Sequence, residues 1–111
     1  MKIYHNPRCT KSRLTLELLK DKGFEPEIIE YLKTPPSELE IESILKKLGK
    51  NAADIVRTNE DKFKELNIAL EDNQGLISAM VQNPILIERP IVVNGDKAAI
   101  GRPPENVLEI L

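Results

Sequence analysis

Near the end of the chain, the runs Ile91-Val92-Val93 and Lys97 to Ile100 are separated by Asn94-Gly95-Asp96. Asn-Gly is a strong hairpin signal, because tight hairpin turns need residues that tolerate positive φ. The two runs are therefore expected to pair antiparallel. The beginning of the chain has a different grammar. Lys2 to His5 is a short run of strand formers, Asn6-Pro7 breaks it, and the apolar period then lengthens. Leu14 and Leu18 lie four apart, Leu16 and Leu19 widen the sector, and Gly23 stands where a helix would stop. Ile28, Ile29, Tyr31 and Leu32 follow as a second strand, whose imperfect alternation suits burial on both faces. A strand-helix-strand opening combined with a terminal hairpin requires a mixed sheet, and the fold class is α/β.

Between these halves the pattern is helical. Thr34-Pro35-Pro36 is rigid punctuation, and Ser37 with Glu40 three places on matches a capping box before the stripe Ile41, Ile44, Leu45 and Leu48. Gly49 ends that helix. Ala52, Ala53, Ile55 and Val56 allow a short helix, and Phe63 with Leu66 marks another turn. Asp72 or Asn73 is placed to cap a helix carrying Leu76, Ile77, Met80 and Val81, which Asn83-Pro84 closes. The segment from about 37 to 82 thus reads as a helical insertion in a single domain spanning 1–111. Beyond it, Ile85-Leu86-Ile87 reads as a further short strand. Pro103 or Pro104 opens a last helix with Val107, Leu108 and Leu111 on one side.

Composition narrows the function. Sixteen basic and eighteen acidic residues give a net charge of −2, too little positive field to favour binding to nucleic acid. No apolar leader or membrane-length run is present in the sequence, so the expectation is a cytoplasmic protein without a membrane partner. Cys9 is the one cysteine, which excludes an internal disulfide, a CxxC pair and a cysteine-built zinc site; no metal is expected.

Cys9 falls directly before the first predicted helix. There, a thiolate would meet unpaired backbone N–H groups and the positive end of the helix dipole, both of which favour the nucleophilic form. A lone cysteine is also commonly a small buried hydrophobe, and position alone leaves both readings open. The neighbours Asn6, Pro7, Arg8, Thr10 and Lys11 suit chemistry better than an apolar slot. Ser12 sits where its hydroxyl could reach the sulfur, and where a dithiol enzyme would carry its second cysteine. A redox cycle begun at Cys9 would therefore need an outside thiol, with glutathione or glutaredoxin the natural candidates. Arg57, Arg89 and Arg102 fall at breaks between predicted elements, and their planar forks suit tetrahedral oxyanions.

The segments His5-Asn6-Pro7-Arg8-Cys9-Thr10-Lys11-Ser12-Arg13, Pro84-Ile85-Leu86-Ile87-Glu88-Arg89-Pro90-Ile91 and Gly101-Arg102-Pro103-Pro104-Glu105 together resemble the glutaredoxin-dependent arsenate reductase family. Tyr31-Leu32-Lys33-Thr34-Pro35-Pro36 and Arg57-x-x-Glu60 extend the likeness over essentially the whole chain. The resemblance implies a thioredoxin-like, glutaredoxin-like fold with a four-stranded mixed sheet and a helical insertion. It implies Cys9 as nucleophile, Arg57, Arg89 and Arg102 as oxyanion ligands, and His5 as a residue near the thiol. A structural hydrogen-bonding role at the strand end is the other reading of His5. Ser12 and Arg13 match the polar helix start, and Pro90 is expected to be cis.

The activity so implied is reduction of arsenate to arsenite, with glutathione as co-substrate, glutaredoxin as partner and no bound cofactor. Two alternatives stand beside it. One is a glutathione-linked thiol oxidoreductase of the same family without arsenate specificity. The other is a regulator of a related branch that binds RNA polymerase; that branch typically carries a CxxC switch, which Ser12 removes here.

Overall fold

The computed structural model describes residues 1–111 and divides into two compact units, Met1–Thr34 with Arg89–Leu111, and Pro35–Glu88. In the first, β1 (Lys2–His5) leads to α1 (Thr10–Asp21) and β2 (Glu27–Glu30), and the chain later returns as β3 (Ile91–Asn94) and β4 (Lys97–Ile100). The sheet order is β2-β1-β3-β4. β1 runs parallel to β2 and antiparallel to β3, and β3 is antiparallel to β4. This mixed sheet is the expected thioredoxin-like arrangement. The hairpin between β3 and β4 pairs Asn94 with Lys97 and places Gly95 at φ +63°. Left-handed backbone at the first loop position is the type II′ pattern, which matches the twist of the flanking strands.

Side-chain alternation along β1 decides what α1 packs against. Ile3 and His5 share one face of the strand. Ile3 forms a fully buried cluster with Leu19, Val92 and Val107, and Leu16, Leu18, Phe24 and Ile110 pack around it. Truncating Leu19 to alanine there would cost about 2–5 kcal/mol, since a void would replace its packed contacts. Ser12 lies seven residues before Leu19, two turns back along the same helix face, and so meets His5. His5 Nδ1 is 2.6 Å from Ser12 Oγ, and the same oxygen accepts the Asn6 N–H at 3.0 Å. The helix ends as Gly23 predicts. Gly23 adopts φ +90°, its N–H donates to Lys20 O, and the Phe24 N–H donates to Leu19 O. This pair of bonds is the Schellman closure.

Within the second unit, Ser37 Oγ accepts the Glu40 N–H and starts α2 (Glu38–Leu48), which buries Ile41, Ile44 and Leu45 and ends at Gly49 with φ +68°. A 3₁₀ turn at Ala52–Asp54 and the short α3 (Asp61–Leu66) follow. Asp72, not Asn73, caps α4 (Asn73–Gln82) through the Gly75 N–H; Asn73 instead accepts the Ala52 N–H.

Four expectations need correction. Ile85-Leu86-Ile87 is not a strand: Pro84–Leu86 forms a 3₁₀ turn, and Ile87 keeps one isolated bridge to Val56. Pro84 supplies no N–H for a ladder and starts the turn instead. β2 is not buried on both faces but stands at the sheet edge, with Ile28 exposed. Tyr31 is buried beyond its end, and Leu32 is exposed. In α1, Leu14 faces solvent while Ser12 and Thr15 are buried, because each hydroxyl finds a partner indoors. The last helix is a 3₁₀ segment, Pro104–Ile110. Its three-residue period stacks Pro104, Val107 and Ile110 inward and turns Leu108 and Leu111 outward.

Burial lowers the His5 pKa below its ordinary 6.5, with Arg13 and Lys20 adding to the shift and Glu30 opposing it. The unfolded chain then binds the proton more readily, so stability falls as pH drops through 6.5 toward the lowered folded value. Thermal melts between pH 7.5 and 5 are expected to show a larger loss of Tm for the wild type than for His5→Asn. Equal losses would show that His5 does not carry this linkage.

Candidate functional site

Asn6, Pro7, Arg8 and Cys9 form the turn between β1 and α1, closed by the Cys9 N–H on Asn6 O at 3.0 Å, with Asn6 Oδ1 accepting the Arg8 N–H. Proline at the second position presets such a turn. Cys9 is the N-cap residue of α1, with extended φ −94° and ψ 123°, and its carbonyl accepts the Arg13 N–H. The sulfur makes no capping bond to the first helical turn. The thiol is buried at 8% exposure, and its hydrogen-bond partner is Arg102, whose Nη2 lies 3.7 Å from Sγ.

Arg102 reaches the sulfur from the far end of the chain, just beyond β4. Its Nε donates to Arg89 O at 2.8 Å, which fixes the guanidinium while Nη2 faces the thiol. Arg89 precedes Pro90 through a cis peptide bond, as expected for Pro90; Arg102-Pro103 is a second cis bond that no sequence signal announced. The Nε and Nη1 atoms of Arg89 are buried. Cys9, Arg89, Pro90 and Arg102 thus all belong to the first unit. Arg57 belongs to the second, where Nη1 pairs with Glu60 Oε1 at 2.6 Å and approaches Ile85 O at 3.4 Å.

The supporting residues differ from expectation in detail. Ser12 does not bond the sulfur; its hydroxyl is engaged by His5 and Asn6. Arg13 turns its guanidinium to Pro7 O and Thr10 Oγ1, bracing the turn from its exposed side. Two residues not singled out from sequence stand beside the site. Thr15 Oγ1 donates to Lys11 O at 2.8 Å and lies 3.5 Å from Gly101 O, and the Gly101 N–H donates to Pro90 O at 2.9 Å. The signal for Thr15 was its spacing, three from Ser12 and four from Leu19 on one helix face. No group of three or more histidine, cysteine or acidic side chains is gathered as a metal site. No helix is long and apolar enough to cross a membrane. Chemically, the arrangement offers one sulfur nucleophile beside a fixed cation that can hold an anion's oxygen.

The profile of the ArsC family matches residues 4–110. The chain is 53% identical to the arsenate reductase of Haemophilus influenzae over 112 residues, covering 98% of this chain and 97% of that protein. It is 56% identical over 114 residues to the uncharacterised Escherichia coli K12 protein YfgD, covering 100% and 96%. The structure of the arsenate reductase from Vibrio cholerae superposes with a TM-score of 0.92 at 50% identity, covering 99% of this chain and 96% of that one. With the profile spanning nearly every residue, and the relatives matching along their whole lengths, the chain belongs to the ArsC family.

Proposed function

We propose that the protein reduces arsenate to arsenite, with Cys9 as the nucleophile and glutathione and glutaredoxin completing the cycle. The observation that carries this reading is the Arg102 guanidinium fixed by Arg89 O at 3.7 Å from the Cys9 sulfur. A thiolate attacking an anion meets repulsion, and a preorganised cation offsets it without reorganising during the reaction. The names of the Haemophilus and Vibrio relatives supply the oxyanion, arsenate.

The cycle follows from one thiol. Cys9 sulfur bonds to arsenic and an arsenic oxygen leaves as water after protonation, so arsenic stays pentavalent. A glutathione thiolate then bonds to Cys9 sulfur. The electron pair of the sulfur–arsenic bond returns to arsenic, which leaves as trivalent arsenite. Cys9 is now in a mixed disulfide with glutathione. Ser12 cannot resolve it, since its hydroxyl is no thiol and is already engaged by His5 and Asn6. Glutaredoxin's thiolate takes the glutathionyl sulfur and frees Cys9. Arg102 and Arg89 are the oxyanion ligands of this reading. Pro90 shapes the junction that carries Arg89.

The purified protein with arsenate, glutathione, glutaredoxin, glutathione reductase and NADPH is expected to consume NADPH in proportion to arsenate, and Cys9→Ser to lose that consumption entirely. Failure of the wild type to respond to arsenate at any concentration would sink the proposal. The rival reading is a glutathione-linked thiol oxidoreductase that does not take arsenate. It predicts thiol exchange through Cys9 in the same mixture with no arsenate response. Arg102→Gln is expected to lower kcat/KM for arsenate by roughly tenfold to a hundredfold, the worth of one charge-assisted hydrogen bond. Because Arg102 is exposed, the far-UV circular dichroism and Tm of that variant should stay close to wild type.

A further inference from the structure

Gly101 has a negative or extended φ, so nothing in its backbone conformation asks for glycine. Space does. A Cβ built there would collide with Thr15 Oγ1, come within 2.9 Å of Pro90 Cγ and lie 3.0 Å from Thr15 Cγ2. Three segments meet at this point: α1, six residues past Cys9; the cis junction at Pro90; and the end of β4, one residue before Arg102. They are also bonded there, Gly101 N–H to Pro90 O at 2.9 Å and Thr15 Oγ1 near Gly101 O at 3.5 Å. Cys9 is carried by the first segment, and the Arg89 carbonyl that holds Arg102 Nε is carried by the second.

We propose that Gly101 is a positioning residue. Its missing Cβ lets α1, Pro90 and the end of β4 close to contact, and that contact holds the Arg102 guanidinium against the Cys9 sulfur. The inference rests on the assignment of Cys9 and Arg102 as the reacting pair. It acts through Arg102 and asks nothing of Gly101 chemically. A methyl at 101 must push either α1 or residues 101–102 aside, and both movements lengthen the 3.7 Å contact. Thr15 contributes two of the three obstructing atoms, so shortening Thr15 to alanine should make room for the added methyl.

The test uses alkylation rates of Cys9 in the full-length protein, with anionic iodoacetate compared against neutral iodoacetamide. Their ratio reads positive charge beside the sulfur and cancels intrinsic thiol reactivity. Arg102→Gln should lower the ratio by roughly fivefold, the factor a unit charge about 4 Å away supplies at water-like screening. Gly101→Ala should lower it nearly as far, and adding Thr15→Ala to Gly101→Ala should recover most of it. Circular dichroism and a cooperative melt establish that each variant is folded. If Gly101→Ala does not fold, the double variant carries the test, and a ratio near wild type in it supports the proposal. An unchanged ratio in folded Gly101→Ala, no fall in Arg102→Gln, or a folded double variant as low as Arg102→Gln would each overturn it. No arsenate is present in these measurements, so an enzyme that fails to reduce arsenate yet shows this pattern refutes the substrate and keeps the positioning role.

Discussion

The shared hydroxyl of Ser12 decides where everything else in the first unit can sit. It receives the Asn6 N–H and meets His5 Nδ1, joining the last residue of β1 to the first turn of α1. With Ile3 and Leu19 packed two turns further along, the helix has neither rotational nor axial freedom against the strand. The turn carrying Cys9 is spanned by these two fixed ends. A buried hydroxyl without partners would cost about 1–3 kcal/mol, so the serine is stable indoors only in this register. The lock thereby converts a helix start, which on its own frays, into a fixed seat for one sulfur.

Local rules read local features well. Gly23, Gly49, Ser37 and Asp72 end or begin helices as their chemistry requires, because capping involves only residues within one turn. The Asn94-Gly95 hairpin was legible for the same reason. Ile85 to Ile87 was not, since strand propensity describes a half-buried pleated surface and Pro84 imposed a turn first. Ser12 was expected to turn its hydroxyl toward the Cys9 sulfur, and Thr15 carried no expectation. Only their partners, His5 on a strand and a carbonyl within the helix, show why they point in.

The candidate site was legible to a different degree at each residue. Cys9 at a helix start is a local observation. Its contact with Arg102 joins residues 93 apart in sequence, a pairing that no spacing rule supplies. Arg57 was marked by its place at an element break and by Arg57-x-x-Glu60 in the resemblance, and the structure shows those two side chains paired. Gly101 was invisible as anything but a neighbour of Arg102, because its role lies in atoms it lacks. The sequence could announce the chemistry of each side chain but not which backbone would crowd against it.

The edge position of β2 has a meaning for how copies of this chain meet in solution. A sheet edge offers unpaired backbone groups to any passing strand, and Ile28 on this one is nearly half uncovered. The strand is only four residues long and begins and ends in glutamate, Glu27 and Glu30. A second copy pairing antiparallel would set Glu27 against Glu30 at both ends; pairing parallel and in register would set each glutamate against itself. Either arrangement brings like charges face to face, which cross-strand pairs do not tolerate. The same four residues that complete the sheet thus discourage its continuation into another molecule.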